Sequence, residues 1–201
     1  MRVIAGTHRH RKLVGPPDAE TTRPITDRVK QALFDRLTAR GMLGERMEDP
    51  FGPTLDLFAG TGGLGIEALS RGSRFCTFVE SDRKIQGVLR TNLETLGLMD
   101  RARIVSGSAL LPMWLDQLGP EPLALVFMDP PYKLMDDGGA VERMMGVIGR
   151  LGGRLEEGGV VCLRTPTAYG EAAEAEGLEG PVAVRYGGMM LNLYQRGDFE
   201  S

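Results

Sequence analysis

The sequence contains few of the residues that build metal centres and disulfide frameworks. Its 201 residues include two cysteines, two histidines and one tryptophan. Both cysteines, Cys76 and Cys162, lie in apolar runs, which indicates buried free thiols and a reducing, cytoplasmic environment. Because the two histidines stand together in one short basic stretch, the sequence predicts no structural metal site.

Long hydrophobic runs are also missing. No apolar run approaches the roughly 20 residues that a membrane-spanning helix needs, and the first residues show no apolar segment of a secretory signal. The hydrophobic fraction of 42% and the charged fraction of 25% are ordinary for a globular protein. The length suits one sizeable domain with an extension. We therefore expect a cytoplasmic protein that works away from membranes.

Positive charge is scarce overall but concentrated at the start of the chain. The net charge is −3, whereas residues 1–40 contain nine Lys and Arg against four acidic residues and carry +5, so the remainder carries −8. This asymmetry is typical of a basic arm that contacts a polyanion, here RNA. The alternative is a solvated helix face and a hairpin that packs on the body. The candidate RNA-binding residues are Arg9, Arg11, Lys12, Arg23 and Arg28.

The start of the chain predicts a hairpin and a helix. Residues 2–5 and 12–14 are short apolar stretches on either side of a basic loop, which indicates two paired strands. Thr26 is expected to cap a helix that runs to about Ala39, with Lys30 on its basic face. The predicted units are a basic hairpin and helix that contact RNA and cover the cofactor site (1–40), a linker (41–53) and the main domain (54–201).

From residue 54 onward, strand-like and helix-like runs alternate. This order predicts a parallel sheet with helices on both faces. Two strands around Gly187 and Gly188 predict that the sheet closes with an antiparallel hairpin. The predicted strands are 54–58, 74–80, 102–105, 123–128, 160–163, 182–186 and 190–195, and the predicted helices are 63–70, 82–96, 109–118 (broken) and 141–151.

A glycine-rich turn follows the first strand of the main domain. Gly60, Gly62 and Gly65 form the pattern G-x-G-x-x-G, and Glu80 ends the next strand 20 positions after Gly60. Glycines let the backbone approach a ligand and the carboxylate accepts ribose hydroxyls, so the pattern predicts a nucleotide-type cofactor. A tight turn with close helix packing is the alternative. Asp56 suits a cofactor with an ammonium and a sulfonium better than a pyrophosphate, which favours S-adenosylmethionine over a nicotinamide cofactor.

The third strand is followed by Ser108 and Ala109, at the position where an adenine contact is expected. Ser108 is equally suited to cap the following helix, and both roles are compatible. The candidate cofactor-binding residues are Asp56, Phe58, Ala59, Gly60, Gly62, Glu80, Ser81, Ser108 and Ala109.

The fourth strand ends in Asp129-Pro130-Pro131-Tyr132. Neither proline can donate a ladder hydrogen bond, so strand pairing stops at an edge where α/β sheets bind ligands. We expect Asp129 and the Pro130 carbonyl to accept the hydrogens of a nucleobase amine, and Tyr132 to stack on that base, which must be unpaired or flipped out. These four residues are the candidate catalytic residues. A simple strand-ending turn is the alternative interpretation.

Eight segments of the chain resemble one known family, and together they run nearly end to end. The resemblance is to the bacterial small-subunit rRNA guanine-N2 methyltransferases, which are class I S-adenosylmethionine-dependent methyltransferases. It implies an α/β, Rossmann-like sheet of seven mostly parallel strands with a C-terminal antiparallel hairpin and a small N-terminal hairpin and helix. The segments are residues 1–6, 11–13, 22–34, 56–65, 67–72, 78–80 with 82–83, 129–132 and 193–196.

The resemblance also implies an activity and a substrate. It implies methyl transfer from S-adenosylmethionine to the N2 amine of one guanine in 16S rRNA, within the small ribosomal subunit or an assembly intermediate. It also implies that Asp56, Gly60, Glu80 and the Ser108-Ala109 pair line the cofactor. We further expect a cytoplasmic monomer that needs no metal. Many relatives have Asp or Asn near Ser108, and some have Phe where this chain has Tyr132.

Three other functions remain open from the residues alone. An adenine-N6 methyltransferase acting on DNA or RNA would share the Asp-Pro-Pro-Tyr motif. A nucleotide-binding protein without catalysis would use the glycine turn alone, and an NAD-dependent oxidoreductase would use it for a different cofactor.

Overall fold

The structure is a computed structural model that describes residues 1–16, 25–41, 43, 50–170 and 172–197. Seven strands form one sheet in the order β3-β2-β1-β4-β5-β7-β6. Neighbours from β3 to β5 pair in parallel, and β7 runs antiparallel to both β5 and β6. The strands are β1 Thr54–Leu57, β2 Cys76–Glu80, β3 Ala102–Ser106, β4 Leu123–Met128, β5 Leu155–Pro166, β6 Glu179–Tyr186 and β7 Met189–Gln195. The α-helices are α1 Asp27–Ala39, α2 Gly65–Ser70, α3 Arg83–Leu96 and α4 Gly138–Gly152.

The predicted seven-stranded, mostly parallel α/β fold is therefore confirmed, closing hairpin included. The central strand β4 is buried at every position, as expected for a parallel strand that is covered on both faces. One face of the sheet packs against α4 and the segment around Trp114. The other face packs against α1, α2, α3 and the N-terminal segment.

Helix α1 belongs to this core. Its apolar stripe buries Leu33, Phe34 and Leu37, and the ring of Phe34 lies 5.5 Å from the ring of Phe127 in β4, centroid to centroid. Thr26 caps the helix as predicted, because its side chain accepts a hydrogen bond from the backbone N–H of Val29. The helix at the start of the chain thus forms one body with the sheet.

The predicted N-terminal hairpin is reduced to a single antiparallel bridge between Arg2 and Lys12. Hydrogen bonds from Val3 N–H to the Arg11 carbonyl and from Leu13 N–H to the Met1 carbonyl hold the two arms together. The arms are too short for a ladder, and their apolar side chains Val3 and Leu13 belong to the core cluster that includes residues of α3 and β2.

Other differences lie at the ends of elements. The broken helix predicted over residues 109–118 is a 3₁₀ helix at Pro112–Gln117, because Pro112 lacks the N–H that an earlier turn would need. Strand β5 is eight residues longer than predicted, since it pairs with both β4 and β7. Cys76 and Cys162 are buried free thiols, as predicted. In the part of the chain that the structure describes, no helix is long and apolar enough to span a membrane.

Candidate active site

Five neighbouring parallel strands are aligned in register near the carboxyl edge of the sheet. In the last row that all five strands share, Leu57 of β1 stands beside Val79 and Met128. Val105 and Leu163 extend this row to β3 and β5. The residue that follows each member lies at the carboxyl edge, where open α/β sheets bind ligands. In sheet order these residues are Ser106, Glu80, Phe58, Asp129 and Arg164.

The glycine turn after β1 brings backbone N–H groups to this edge. Phe58 and Gly60 have positive φ angles of 58° and 55°. A Cβ atom at Gly60 would meet only the Phe58 carbonyl, 4.0 Å away, whereas one at Gly62 would lie 2.5 Å from a Leu89 methyl carbon. Gly60 therefore leaves open space for a ligand, and Gly62 permits close packing of α3.

Both oxygens of the Glu80 carboxylate are held by backbone N–H groups. Oε2 accepts a hydrogen bond from Gly60 at 2.8 Å, and Oε1 accepts one from Asp82 at 2.8 Å. The Ser81 hydroxyl lies 3.5 Å from Oε1. Because each carboxylate oxygen has two lone pairs, the fixed carboxylate can still accept hydrogen bonds from two hydroxyls of a ligand.

Asp56 is buried beneath the glycine turn. It is 1% exposed, and its Oδ2 atom accepts a hydrogen bond from the N–H of Gly65, the first residue of α2, at 2.8 Å. Burial raises the pKa of Asp56 well above its ordinary value; the Gly65 N–H lowers it, and the carboxylates of Asp129 and Glu80 raise it. The negative charge of these groups favours a positively charged ligand at the turn.

The turn that follows β3 also lies at this edge of the sheet. The Ser108 hydroxyl accepts a hydrogen bond from Leu110 N–H at 3.3 Å, so Ser108 begins a turn and caps no α-helix. Ala59 and Ala109 are both buried, and the Ala109 carbonyl accepts a hydrogen bond from the Trp114 indole at 3.3 Å. The hydrogen bond to Trp114 anchors the turn on the core beside the glycine loop.

The Asp-Pro-Pro-Tyr segment leaves acceptor groups at the carboxyl edge. The side chain of Asp129 is 17% exposed, and its Oδ1 atom lies 2.5 Å from the Nε atom of Arg164. Pro130 is buried and Pro131 is exposed. The Pro131 carbonyl accepts a hydrogen bond from Leu134 N–H, whereas the Pro130 carbonyl accepts none within the described part of the chain. The Asp129 carboxylate and the Pro130 carbonyl are therefore neighbouring acceptors.

Sequence reasoning missed Arg164. Its side chain is 7% exposed, and its ζ-carbon lies 5.8 Å from the ring centroid of the half-buried Tyr132. Burial raises the pKa of Asp129, and the Arg164 guanidinium lowers it. A signal was present, because Arg164 follows the apolar run of β5 as directly as Asp129 follows that of β4.

The basic N-terminal loop lies at the opposite edge of the sheet. Thr7 N–H donates to the Ser70 carbonyl at the end of α2, and a ring nitrogen of His8 lies 3.0 Å from the Leu96 carbonyl at the end of α3. Both helices lead away from the carboxyl edge. Arg9 is exposed, and the exposed Arg11 reaches the Thr95 carbonyl at 3.4 Å. The loop tip therefore stands at the amino edge.

The remaining candidate RNA-binding residues are dispersed. Lys12 is exposed in the bridge to Arg2, and Arg28 is exposed on α1. Arg23 lies outside the described residues. A cleft of about 320 Å³ at the amino edge, close to the basic loop, is lined by Thr7, Pro50, Leu69, Ser70, Gly72, Arg74 and Arg101.

Lys30 was expected on the basic face of α1, and this prediction is wrong. The residue is fully buried, and its Nζ atom lies 3.0 Å from Oε2 of Glu67 in α2. It also donates to the carbonyls of Arg2 at 2.7 Å and Gly63 at 3.4 Å. Lys30 thereby joins the N-terminal segment to the glycine turn. Among the residues that the structure describes, no cluster of three or more metal-binding side chains is found.

Comparisons with known proteins identify relatives of this chain. A family model described as "Conserved hypothetical protein 95" matches residues 1–195. A Bacillus subtilis protein named "Putative rRNA methyltransferase YlbH" is 40% identical over 133 residues, which are 66% of this chain and 67% of that protein. Ribosomal RNA small subunit methyltransferase D of Escherichia coli is 40% identical over 133 residues, which are 66% of this chain and 61% of that protein.

A similar structure extends the match over the whole fold. The solved structure described as "Putative methyltransferase yhhF from Escherichia coli" has a TM-score of 0.76 and 31% identity, and the match covers 98% of both chains. The chain therefore belongs to the Conserved hypothetical protein 95 family, the family of ribosomal RNA small subunit methyltransferase D.

Proposed function

We propose that this protein transfers a methyl group from S-adenosylmethionine to the N2 amine of one guanine in 16S rRNA, within the small subunit or its assembly intermediate. Its membership of a methyltransferase family supports the reaction type. One observation carries the proposal. The acceptor pair formed by Asp129 and the Pro130 carbonyl lies on the same sheet edge as the Glu80 carboxylate, two strands away.

The chain's own residues fit this cofactor. Gly60 faces open space, and backbone N–H groups hold both oxygens of the Glu80 carboxylate beside it, which keep lone pairs for the hydroxyls of a ribose. The carboxyl group of Asp56 is buried beneath the turn, where burial raises its pKa and a bound cation would favour its ionised form. S-adenosylmethionine, when bound, supplies an electrophilic methyl group on a sulfonium. A positive ligand suits this environment better than a pyrophosphate does.

The two acceptors would compensate for the poor nucleophilicity of the guanine N2 amine. The lone pair of a guanine N2 amine is delocalised into the ring, so the amine attacks poorly. The Asp129 carboxylate accepts a hydrogen bond from one amine hydrogen and the Pro130 carbonyl accepts one from the other, which favours a pyramidal nitrogen with its lone pair directed at the methyl group. The methylated nitrogen carries one surplus proton, which the Asp129 carboxylate is placed to accept. Such an interaction is stronger in the transition state than in the ground state, and acid–base help of this kind contributes about 10²–10⁴ in rate.

An ionised carboxylate at this position favours guanine over adenine. Guanine presents its N2 amine beside the N1–H, so that both groups donate to a carboxylate, which only accepts. Adenine presents its N6 amine beside N1, an acceptor that repels the same carboxylate. This contrast supports the guanine assignment, and adenine-N6 methylation is the alternative that the experiment below tests.

The position of the basic loop suggests how RNA lies on the protein. Helix α3 has 14 residues and leads from the Glu80 side of the sheet to the Leu96 carbonyl that His8 contacts. At about 1.5 Å per residue this is roughly 21 Å. An RNA that delivers a base to Asp129 and also contacts Arg9 and Arg11 must therefore extend over both edges. Assembled or assembling 16S rRNA meets this requirement.

Methylation of isolated ribosomal subunits tests the proposal. Small subunits from a bacterium that lacks the protein are incubated with purified enzyme and labelled S-adenosylmethionine, and the nucleosides are separated by mass spectrometry. We expect N2-methylguanosine, and the modified base is then mapped in 16S rRNA. Labelled N6-methyladenosine would support the alternative. Binding of S-adenosylmethionine without any transfer would contradict both.

Substitution of Asp129 tests its role. We expect Asp129→Ala to reduce methyl transfer to below a few per cent while the dissociation constant for S-adenosylmethionine changes little, because the carboxylate acts on the base. Asp116→Ala removes an exposed carboxylate elsewhere and serves as the control. If Asp129→Ala retained substantial transfer, another group would be the amine acceptor.

A further inference from the structure

Arg164 is a buried cation of β5 that directly follows an apolar run. The four residues that precede it in β5 are all buried, and its own side chain is 7% exposed. A buried charge is costly without a partner, so an arginine here requires a specific counter-charge. Strand register supplies one, because Met128 pairs with Leu163 and the following residues, Asp129 and Arg164, stand side by side.

The guanidinium contacts both ends of the Asp-Pro-Pro-Tyr segment. Its Nε atom lies 2.5 Å from the Oδ1 atom of Asp129, and its ζ-carbon lies 5.8 Å from the ring centroid of Tyr132. The planar guanidinium combines a directional hydrogen bond with an aromatic contact, which a lysine ammonium does not reproduce. One side chain therefore restrains the orientation of the carboxylate and of the aromatic ring.

The surroundings of Asp129 make this cation necessary. The Asp56 carboxylate on β1 and the Cys162 thiol on β5 both interact electrostatically with Asp129. Burial disfavours the ionised form of Asp129, and Arg164 is the cation that opposes it. Without Arg164, the group that must accept an amine hydrogen would hold its own proton to a higher pH.

We propose that Arg164 is a positioning residue that fixes Asp129 as an oriented, ionised acceptor and holds Tyr132 beside the base. The inference rests on the proposed methyl transfer and extends it to a residue on a different strand. One carboxylate oxygen is engaged by Arg164, which leaves the other to meet the amine. Arg164 therefore acts through Asp129 and Tyr132, without itself touching the reacting atoms.

Three variants test this role. Arg164→Gln removes the charge, Arg164→Lys keeps the charge but not the planar donor group, and Arg150→Gln removes an exposed arginine of α4 as the control. With Arg164→Gln we expect the acidic limb of the kcat/KM profile to move to higher pH by about 1 unit or more. Arg164→Lys should restore the position of this limb but not the full kcat. An unchanged profile in Arg164→Gln would overturn the proposal.

A direct titration separates this proposal from the proposed function. The ¹³C signal of the Asp129 carboxyl group, assigned by its loss in Asp129→Asn, is followed against pH in the protein without substrate. We expect its midpoint to rise in Arg164→Gln and to stay unchanged in Arg150→Gln. If the midpoint rises but the wild-type protein transfers no methyl group, the proposed function fails alone. If transfer is normal and the midpoint does not move, the role of Arg164 fails alone.

Thermal unfolding tests whether Arg164→Gln acts only through a folding defect. Arg164→Gln leaves the Asp129 carboxylate buried beside Asp56 without its cation, so we expect a lower Tm at pH 8 than at pH 5. The double variant Arg164→Gln/Asp129→Asn should recover most of that loss, because the uncompensated charge is gone. A double variant as unstable as the single one would show that Arg164 contributes packing alone and would overturn the proposal.

Discussion

The Nζ atom of Lys30 lies 3.0 Å from the Oε2 atom of Glu67, and neither side chain has any exposed surface. The same carboxylate accepts hydrogen bonds from the backbone N–H groups of Ile4 and Ala5 and from the side chain of Arg71. One buried carboxylate thus joins α1, α2 and the first residues of the chain. Since Lys30 also reaches the Gly63 carbonyl, this network supports the glycine turn from behind.

Replacing Lys30 by Met should destabilise the protein severely. The substitution keeps most of the side-chain volume but removes one partner of a fully buried ion pair, which typically costs about 3–5 kcal/mol. Urea denaturation at pH 7 measures the free energy of unfolding. Lys84→Met, at an exposed position of α3, should change it by less than about 0.5 kcal/mol. Equal effects of the two variants would mean that the ion pair makes no special contribution.

Replacing Glu80 by Ala should weaken cofactor binding. Hydrogen bonds from ligand hydroxyls to a charged group are worth about 1.5–3 kcal/mol, which corresponds to roughly 10-fold to 100-fold in the dissociation constant. Isothermal titration with S-adenosylmethionine measures this change. Glu94→Ala, which removes an exposed carboxylate from α3, should bind normally. Unchanged affinity in Glu80→Ala would place the ribose away from the end of β2.

Replacing Asp56 by Asn should change the pH dependence of stability. The pKa of Asp56 is raised in the folded protein, so its contribution is most favourable at low pH and is lost as pH rises through the folded-state pKa. Asn lacks this penalty and can still accept the hydrogen bond from Gly65. We therefore expect the stability of the cofactor-free variant, relative to wild type, to increase from pH 4 toward pH 8. Parallel stability curves for the two proteins would contradict this prediction.

That gain in stability should be accompanied by a loss of binding. Asp56→Asn removes negative charge beneath the glycine turn, so its affinity for S-adenosylmethionine should fall while affinity for the product thioether, which lacks the positive sulfur, falls less. Asp116→Asn, at an exposed position, should alter neither binding nor the pH dependence. Equal losses of affinity for the two ligands would mean that Asp56 does not interact electrostatically with the sulfonium.

Neutralising Arg9 and Arg11 together should weaken RNA binding in a salt-dependent way. Each lost phosphate contact lowers the slope of log K against log salt by about 1, so the double Gln variant should lose about 2. Filter binding of small subunits across a salt series measures the slope. The double variant Arg143→Gln/Arg150→Gln on α4 loses the same charge and should keep the slope. Affinity for S-adenosylmethionine should be unchanged in both.

If Arg9 and Arg11 contact RNA from the amino edge, the effect of their replacement should depend on the substrate. A trinucleotide with the target base in the middle has one nucleotide on each side and does not extend the about 21 Å from the site to the loop, so its methylation should be insensitive to the double substitution. Methylation of whole subunits should be impaired. Equal impairment of both substrates would indicate that the loop affects the site by another route.

The sequence determined the parts of this protein that depend on local order. The alternation of apolar runs and helical patterns predicted the seven strands, and the glycine turn with Glu80 at the end of the next strand predicted one wall of the site. The prolines after Asp129 predicted where β4 stops. These features follow from backbone geometry and from the spacing of apolar residues along the chain. Neighbouring residues determine both.

The tertiary structure alone decided which distant residues meet. Arg164 pairs with Asp129 because β5 lies beside β4 in register. The Lys30 side chain is buried because it forms an ion pair with Glu67 in the core. The basic loop stands at the amino edge because its backbone docks on the ends of α2 and α3. Each of these contacts joins residues that are at least 35 positions apart. Sheet order and packing determine which residue becomes the partner of a charged side chain over such a separation. A local sequence pattern contains no information about either.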